Sequence, residues 1–186
     1  LLGQKDYQGF SLLPHRTVKI KQFQDNTEFA AMVESVDESL GHVLAKLKEL
    51  GIASNTIVIF FSDNGGMSAA NFFNPRRVIS RYDLNKAFAT SNLPLRGGKG
   101  WLYEGGIREP LVIYWPDEGE HGVVCNVPVI STDFYSTLLD MIGLRQLTHK
   151  EDGVDGMSLV PLLKDESAGT AKIESRALYW HFPHYS

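Results

Sequence analysis

The chain is most informative first in what it lacks. It carries one cysteine in 186 residues, Cys125, so no disulfide framework can form within it. The surroundings of that cysteine, VVCNVPV, lead us to expect a buried structural thiol. No stretch reaches about 18 uncharged apolar residues, so no membrane span is expected. The opening LLGQKDYQGF lacks a basic region followed by an apolar run and a cleavage site, so it is not a signal peptide. With 17 glycines and 8 prolines the chain is neither collagen-like nor of low complexity. There are no internal repeats.

What is present describes an ordinary globular protein: 43% hydrophobic, 11% aromatic and 22% charged residues. Such a composition can bury a core, which excludes general disorder. The length suits one domain of about 100–200 residues. The start at Leu1 and the aromatic close RALYWHFPHYS, read as a strand that stops abruptly, lead us to expect a piece of something longer.

Charge is uneven. Net charge is −4, yet the segment from Arg76 to Arg108 holds seven Lys/Arg (Arg76, Arg77, Arg81, Lys86, Arg96, Lys99, Arg108) against Asp83 and Glu104. A cationic loop region on an acidic protein fits a local anion site or a solvated basic face, not a general nucleic-acid interface.

Residues 1–24 have mixed polarity and Pro14, and read as loop. Phe29, Val33, Val36, Leu40, Val43, Leu47 and Leu50 then recur at spacings of 4 and 3, the single apolar stripe of a helix over about Asn26–Leu50. Asp25, three before Glu28, looks like its capping box, and Gly51 its C-terminal cap. Thr56–Ser62 (TIVIFFS) and Leu111–Trp115 (LVIYW) are continuous β-branched and aromatic runs, typical of strands buried on both faces. Val123–Ile130 is a third candidate strand, weakened by Pro128. Thr132–Ile142 reads as a short helix ending at Gly143, and Met157–Leu163 as one or two helical turns. Helices alternating with buried strands imply α/β architecture.

Two segments carry chemistry. Ser62-Asp63-Asn64-Gly65-Gly66 begins where a buried strand ends, the position at which open α/β sheets bind ligands. Asp63 and Asn64 offer hard oxygen donors suited to Ca²⁺ or Mg²⁺. A plain turn is the other reading, because Asp, Asn and Gly are also the commonest turn residues. The second segment is Leu95-Arg96-Gly97-Gly98-Lys99-Gly100. It fails the phosphate-loop pattern, with Leu93 where glycine is required and Gly100 after the lysine. What remains is a lysine on a glycine-rich turn, able to approach an oxyanion or simply solvated. Glu104 and Arg108, four apart, are expected to brace the following loop as a structural ion pair.

The order of NTIVIFFSDNGG, LPLRGGKGWLYEGGIREPLVIYWP, TDFYSTLLDMIGL and DGVDGMSLVPLLK behind the long helix strongly resembles the type I sulfatases, of the alkaline-phosphatase-like superfamily. The resemblance covers about Asn26–Leu163. It implies an α/β fold with a central mixed, mostly parallel sheet flanked by helices. Residues 1–145 would form the C-terminal half of the catalytic domain, and 146–186 the linker and start of a smaller subdomain. It further implies that Asp63 and Asn64 ligate a divalent metal, Ca²⁺ or alternatively Mg²⁺, and that Lys99 contacts the sulfate and stabilises charge on the leaving oxygen. The implied reaction is hydrolysis of sulfate esters, with sulfated glycans or small molecules as substrates, in an exported or lysosomal protein.

Other family features are not found. The formylglycine nucleophile derives from a Cys/Ser-x-Pro/Ala-x-Arg motif; Cys125 is followed four residues on by Val129, so formylglycine is expected upstream of this chain. The first aspartate pair of the metal site and the catalytic histidine are likewise missing, His15 having no matching context. The piece alone is expected to be inactive. Met67–Asn92 reads as a substrate-facing insertion. His181 and His184 are structural or line a subsite, His42 lies on a helix surface, and His121 and His149 look solvated. A phosphatase, phosphodiesterase or phosphonate hydrolase of the same superfamily, or a non-catalytic relative, are the alternatives. Zinc-using members tend to place histidine beside the aspartate, where this chain has Asn64.

Overall fold

The computed structural model describes residues 7–13, 16–68, 88–116, 118–119, 122–147 and 153–181, with side chains from Ile20 onward. The expectations placed on Met67–Asn92 fall mostly outside these residues, as do His15, His121, His149 and His184 and four of the seven clustered cations. Packing divides the chain into two compact units, one ending at Ile113 and rejoined by the C-terminal residues from Trp180, the other Tyr114–Tyr179.

The first unit opens with a hairpin, not the expected loop. Strands β1 (Tyr7–Leu13) and β2 (Arg16–Lys21) pair antiparallel, Phe10 opposite Val18, with an irregularity between Ser11 and Leu13. Val18 and Ile20 alternate with lysines, a half-buried strand pattern that the mixed polarity around Pro14 concealed. The last two residues of β2 are buried: Ile20 is 2% exposed, and Lys21, fully buried, reaches Asp25 at 2.9 Å.

Helix α1 spans Thr27–Glu49. Asn26, not Asp25, caps it: the Asn26 Oδ1 accepts from the N–H groups of Glu28 (3.1 Å) and Phe29 (3.3 Å), while Asp25 is engaged by Lys21. At the other end Gly51 adopts φ +68°, and the Gly51 and Ile52 N–H groups return to the Lys48 and Leu47 carbonyls, closing a Schellman turn. The apolar stripe is where the periodicity puts it, but no residue of α1 is buried, and Val33, Val36 and Val43 are each more than half exposed.

Strands β3 (Val58–Phe61) and β4 (Leu111–Tyr114) form the second two-stranded sheet. Beyond them Ser62 N–H donates to Pro110 O (3.3 Å) and Gly65 N–H to Gly106 O (3.2 Å), so the flanking chains run in opposite directions. Neither strand is buried on both faces: Phe61 is 49% and Val112 59% exposed. Between them lies one helical turn, α2 (Glu104–Ile107).

The second unit is organised around α3 (Asp133–Met141), which ends at Gly143 with φ +75°. Short helices α4 (Val160–Leu163) and α5 (Ser167–Glu174) pack together, and Met141, Leu159, Val160 and Ile173 form a small core. Helix α5 was not foreseen, since no apolar stripe marks SAGTAKIE. Two expected elements are not strands. Residues 123–130 make no ladder, because Val124 is 83% and Val123 62% exposed and Pro128 removes a donor. Cys125, in the same segment, is exposed, not buried. Residues 176–181 are also irregular. Asp133, entirely buried, anchors the unit: Oδ1 accepts from Met157 N–H (2.9 Å) and Arg176 Nη1 (2.6 Å), Oδ2 from Ile130 N–H (2.9 Å) and Arg176 Nη2. Burial pushes its pKa up, but the guanidinium and both backbone donors outweigh this and hold the carboxyl below its usual range.

Candidate active site

The candidate site is built from three loops of the first unit. The chain leaves β3 at Phe61, and the Ser62 hydroxyl donates to the Asn64 carbonyl (2.9 Å), folding Asp63 and Asn64 into a tight turn. Asp63 is exposed and Asn64 half-buried. The carboxylate of Asp63 is in no ion pair among the described residues.

The lysine loop is laid directly on this turn. Lys99 N–H donates to Gly66 O (3.1 Å), three residues on from Asp63, and Gly105 N–H donates to Arg96 O (2.7 Å). The SDNGG turn, the RGGKG loop and α2 thus share one lattice of backbone hydrogen bonds. Trp101, 5% exposed, pins the middle of the segment, and the Arg96 guanidinium stacks 4.0 Å over the Tyr103 ring. The expected Glu104–Arg108 pair is present at 3.6 Å, with both side chains about two-thirds exposed. At such exposure it is worth well under about 1 kcal/mol.

The glycines of the turn serve a purpose the sequence did not disclose. Gly65 and Gly66 do not occupy the left-handed region. A Cβ on Gly65 would lie 1.9 Å from the Gly105 carbonyl oxygen, and one on Gly106 would lie 2.1 Å from that of Trp101. They are required because three backbones approach more closely than any side chain permits.

Two residues escaped the sequence reading. Asn92 Nδ2 donates to Gly66 O (2.8 Å) and Gly105 O (2.9 Å), lacing the turn to α2, while buried Ser68 donates to Gly97 O (2.9 Å). An isolated asparagine in an SNLP loop carries no signal of that task. The second is Glu109. It lines a cavity of about 280 Å³ with Gln24, Ser91, Asn92 and Arg108, and its Oε1 is buried without a hydrogen-bond partner among the described residues. Burial first, and then the negative charge of Asp63, push its pKa up to about 7. A single glutamate before a proline in GGIREP carries no signal of that placement.

The donor chemistry fits a hard cation: a carboxylate and an amide at a strand end, with a second carboxylate close by whose Oε1 has no hydrogen-bond partner among the described residues. Among the described residues no three His, Cys, Asp or Glu side chains converge as a complete metal cluster.

The chain is similar to known proteins. The family described as Sulfatase matches residues 5–144. The chain belongs to the sulfatase family. It is 36% identical over 167 residues to a sulfatase of Formosa agariphila, covering 85% of this chain and 26% of that protein. It is 34% identical to the N-acetylgalactosamine-6-sulfatase of Rattus norvegicus, covering 70% of this chain and 22% of the relative. Among solved structures it is similar to that of Ps i-CgsB in complex with k-i-k-neocarrahexaose, at 28% identity and TM-score 0.59, over 75% of this chain and 27% of that one. It is also similar to PsFucS1 sulfatase from Pseudoalteromonas sp., at 34% identity and TM-score 0.54, over 72% and 23% of the respective chains. The fold class is thus the α/β, alkaline-phosphatase-like one of the sulfatases, and the chain spans about a quarter of the relatives' length. No helix among the described residues is long and apolar enough to cross a membrane.

Proposed function

We propose that the whole protein hydrolyses sulfate esters, with sulfated glycans as the substrate class, and that this chain supplies part of its cation site and a charge-stabilising lysine. The observation that carries the reading is the Lys99–Gly66 backbone bond, which fixes the lysine loop on the turn bearing Asp63 and Asn64. Transfer of a sulfuryl group develops negative charge on the sulfate and leaving oxygens, and a preorganised ammonium offsets it without reorganisation. We assign that role to Lys99. Asp63 and Asn64 would hold Ca²⁺, with Mg²⁺ the alternative; when bound, the cation supplies Lewis-acid polarisation at the same anion. No segment of the chain matches the formylglycine motif, so the nucleophile belongs to another part of the protein. The glycan class is supported by relatives: one is an N-acetylgalactosamine-6-sulfatase and one solved structure holds a neocarrahexaose.

The test is a sulfate-release assay on the whole protein, across sulfated mono- and oligosaccharides with matched phosphate esters beside them. Release of sulfate with Ca²⁺ present is the expected result. Phosphate release without sulfate release would place the protein with the phosphatases of the superfamily.

A further inference from the structure

The bonds from Ser62 to Pro110 and from Gly65 to Gly106 bracket Asp63 and Asn64 on one side and Ile107, Arg108 and Glu109 on the other. In that opposed register Glu109 stands across from Asp63. Like charges directly opposite on paired chains are destabilising. No ion pair joins either carboxylate to a cation among the described residues. Arg108 leans on Glu104 at 3.6 Å and is 65% exposed. Yet Oε1 of Glu109 is withdrawn from solvent with no donor among the described residues. A buried acceptor left unmade is costly, more so beside a second anion, and a divalent cation at the Asp63–Asn64 turn is what would offset both charges.

We propose that Glu109 is a positioning residue of the cation site, its inward-facing carboxylate strengthening the grip of the Asp63–Asn64 turn on a divalent metal. The inference rests on the reading of Asp63 and Asn64 as metal ligands. Ligand charge sets cation affinity at oxygen sites, so removing this charge should weaken binding even though the residue is not itself a ligand.

The experiment is calorimetric titration of Ca²⁺ into the whole protein and into its Glu109→Gln and Asp63→Asn variants, with the melting midpoint of each also taken in chelator. Glu109→Gln should bind Ca²⁺ about tenfold more weakly, the size expected for one charge across a partly solvated gap. In chelator its midpoint should equal or exceed that of the wild type, because a repulsion has been removed; a residue of merely structural value would lower it. Wild-type affinity in Glu109→Gln, with binding lost in Asp63→Asn, overturns the inference and leaves the ligand reading standing. A lowered midpoint in chelator overturns it too. Wild-type affinity in Asp63→Asn removes the ligand reading, and the inference falls with it.

Discussion

Two buried or half-buried carboxylates divide the molecule between them. Asp133, in the second unit, accepts four hydrogen bonds, two from Arg176 and two from backbone N–H groups. Glu109, in the first, has a buried oxygen with no partner among the described residues, near an Asp63 that joins no ion pair there. Their pKa directions differ accordingly, down for Asp133 and up for Glu109. The difference teaches how this chain separates structure from chemistry. In the second unit a charged side chain is the hub that holds three segments together. In the first, backbone carbonyls, close-packed glycines and the Asn92 amide hold the loops, and the carboxylate of Asp63 takes no part in that lattice.

Breaking the satisfied carboxylate should have the largest effect. Arg176→Ala leaves Asp133 charged and buried, and should destabilise the second unit by about 3–5 kcal/mol, read by denaturant unfolding of the whole protein. The pH dependence follows from the same group. Asp133 titrates below 3.8 when folded, so its contribution is present above that value and lost as pH falls through the lower folded pKa. Asp133→Asn should flatten the acid limb of a melting-midpoint profile; an unchanged limb would show that other carboxylates control it.

Next in size is Lys99→Ala. In the whole protein it should lower kcat/KM for a sulfate ester about 10²-fold or more while the melting midpoint holds. Unchanged kinetics would remove Lys99 from the chemistry. Asn92→Ala sharpens the comparison from the scaffold side. It leaves the Gly66 and Gly105 carbonyls short of a donor, and should cost about 1–3 kcal/mol of stability together with activity. The smallest effect belongs to Glu104→Gln, which breaks an exposed pair and should shift stability by no more than about 0.5 kcal/mol.

Much of the local structure was written in residue order. The 3–4 stripe and Gly51 placed α1 almost to the residue, and TIVIFF and LVIY marked the two strands that carry the site. Errors arose where long-range contacts overrode local cues. The β1–β2 hairpin is stabilised by pairing across Pro14, and Lys21 is buried at a position a lysine would ordinarily leave in water. Asp25 resembled a cap, but its pairing with Lys21 left that task to Asn26. Val123–Ile130 has strand composition and no neighbouring strand to bond among the described residues.

By itself the sequence determined α1, β3, β4 and α3, the family to which they belong and the residue types able to meet a cation and an anion, because these follow from periodicity and from motifs in a fixed order. Only the tertiary structure decided that Gly65 and Gly106 are needed for contact and not for conformation, that Asn92 ties the loops, and that Glu109 stands across from Asp63. Those are consequences of which backbones meet, and Asp63 and Glu109, 46 positions apart in the chain, acquire a relation only when the bond between Ser62 and Pro110 closes.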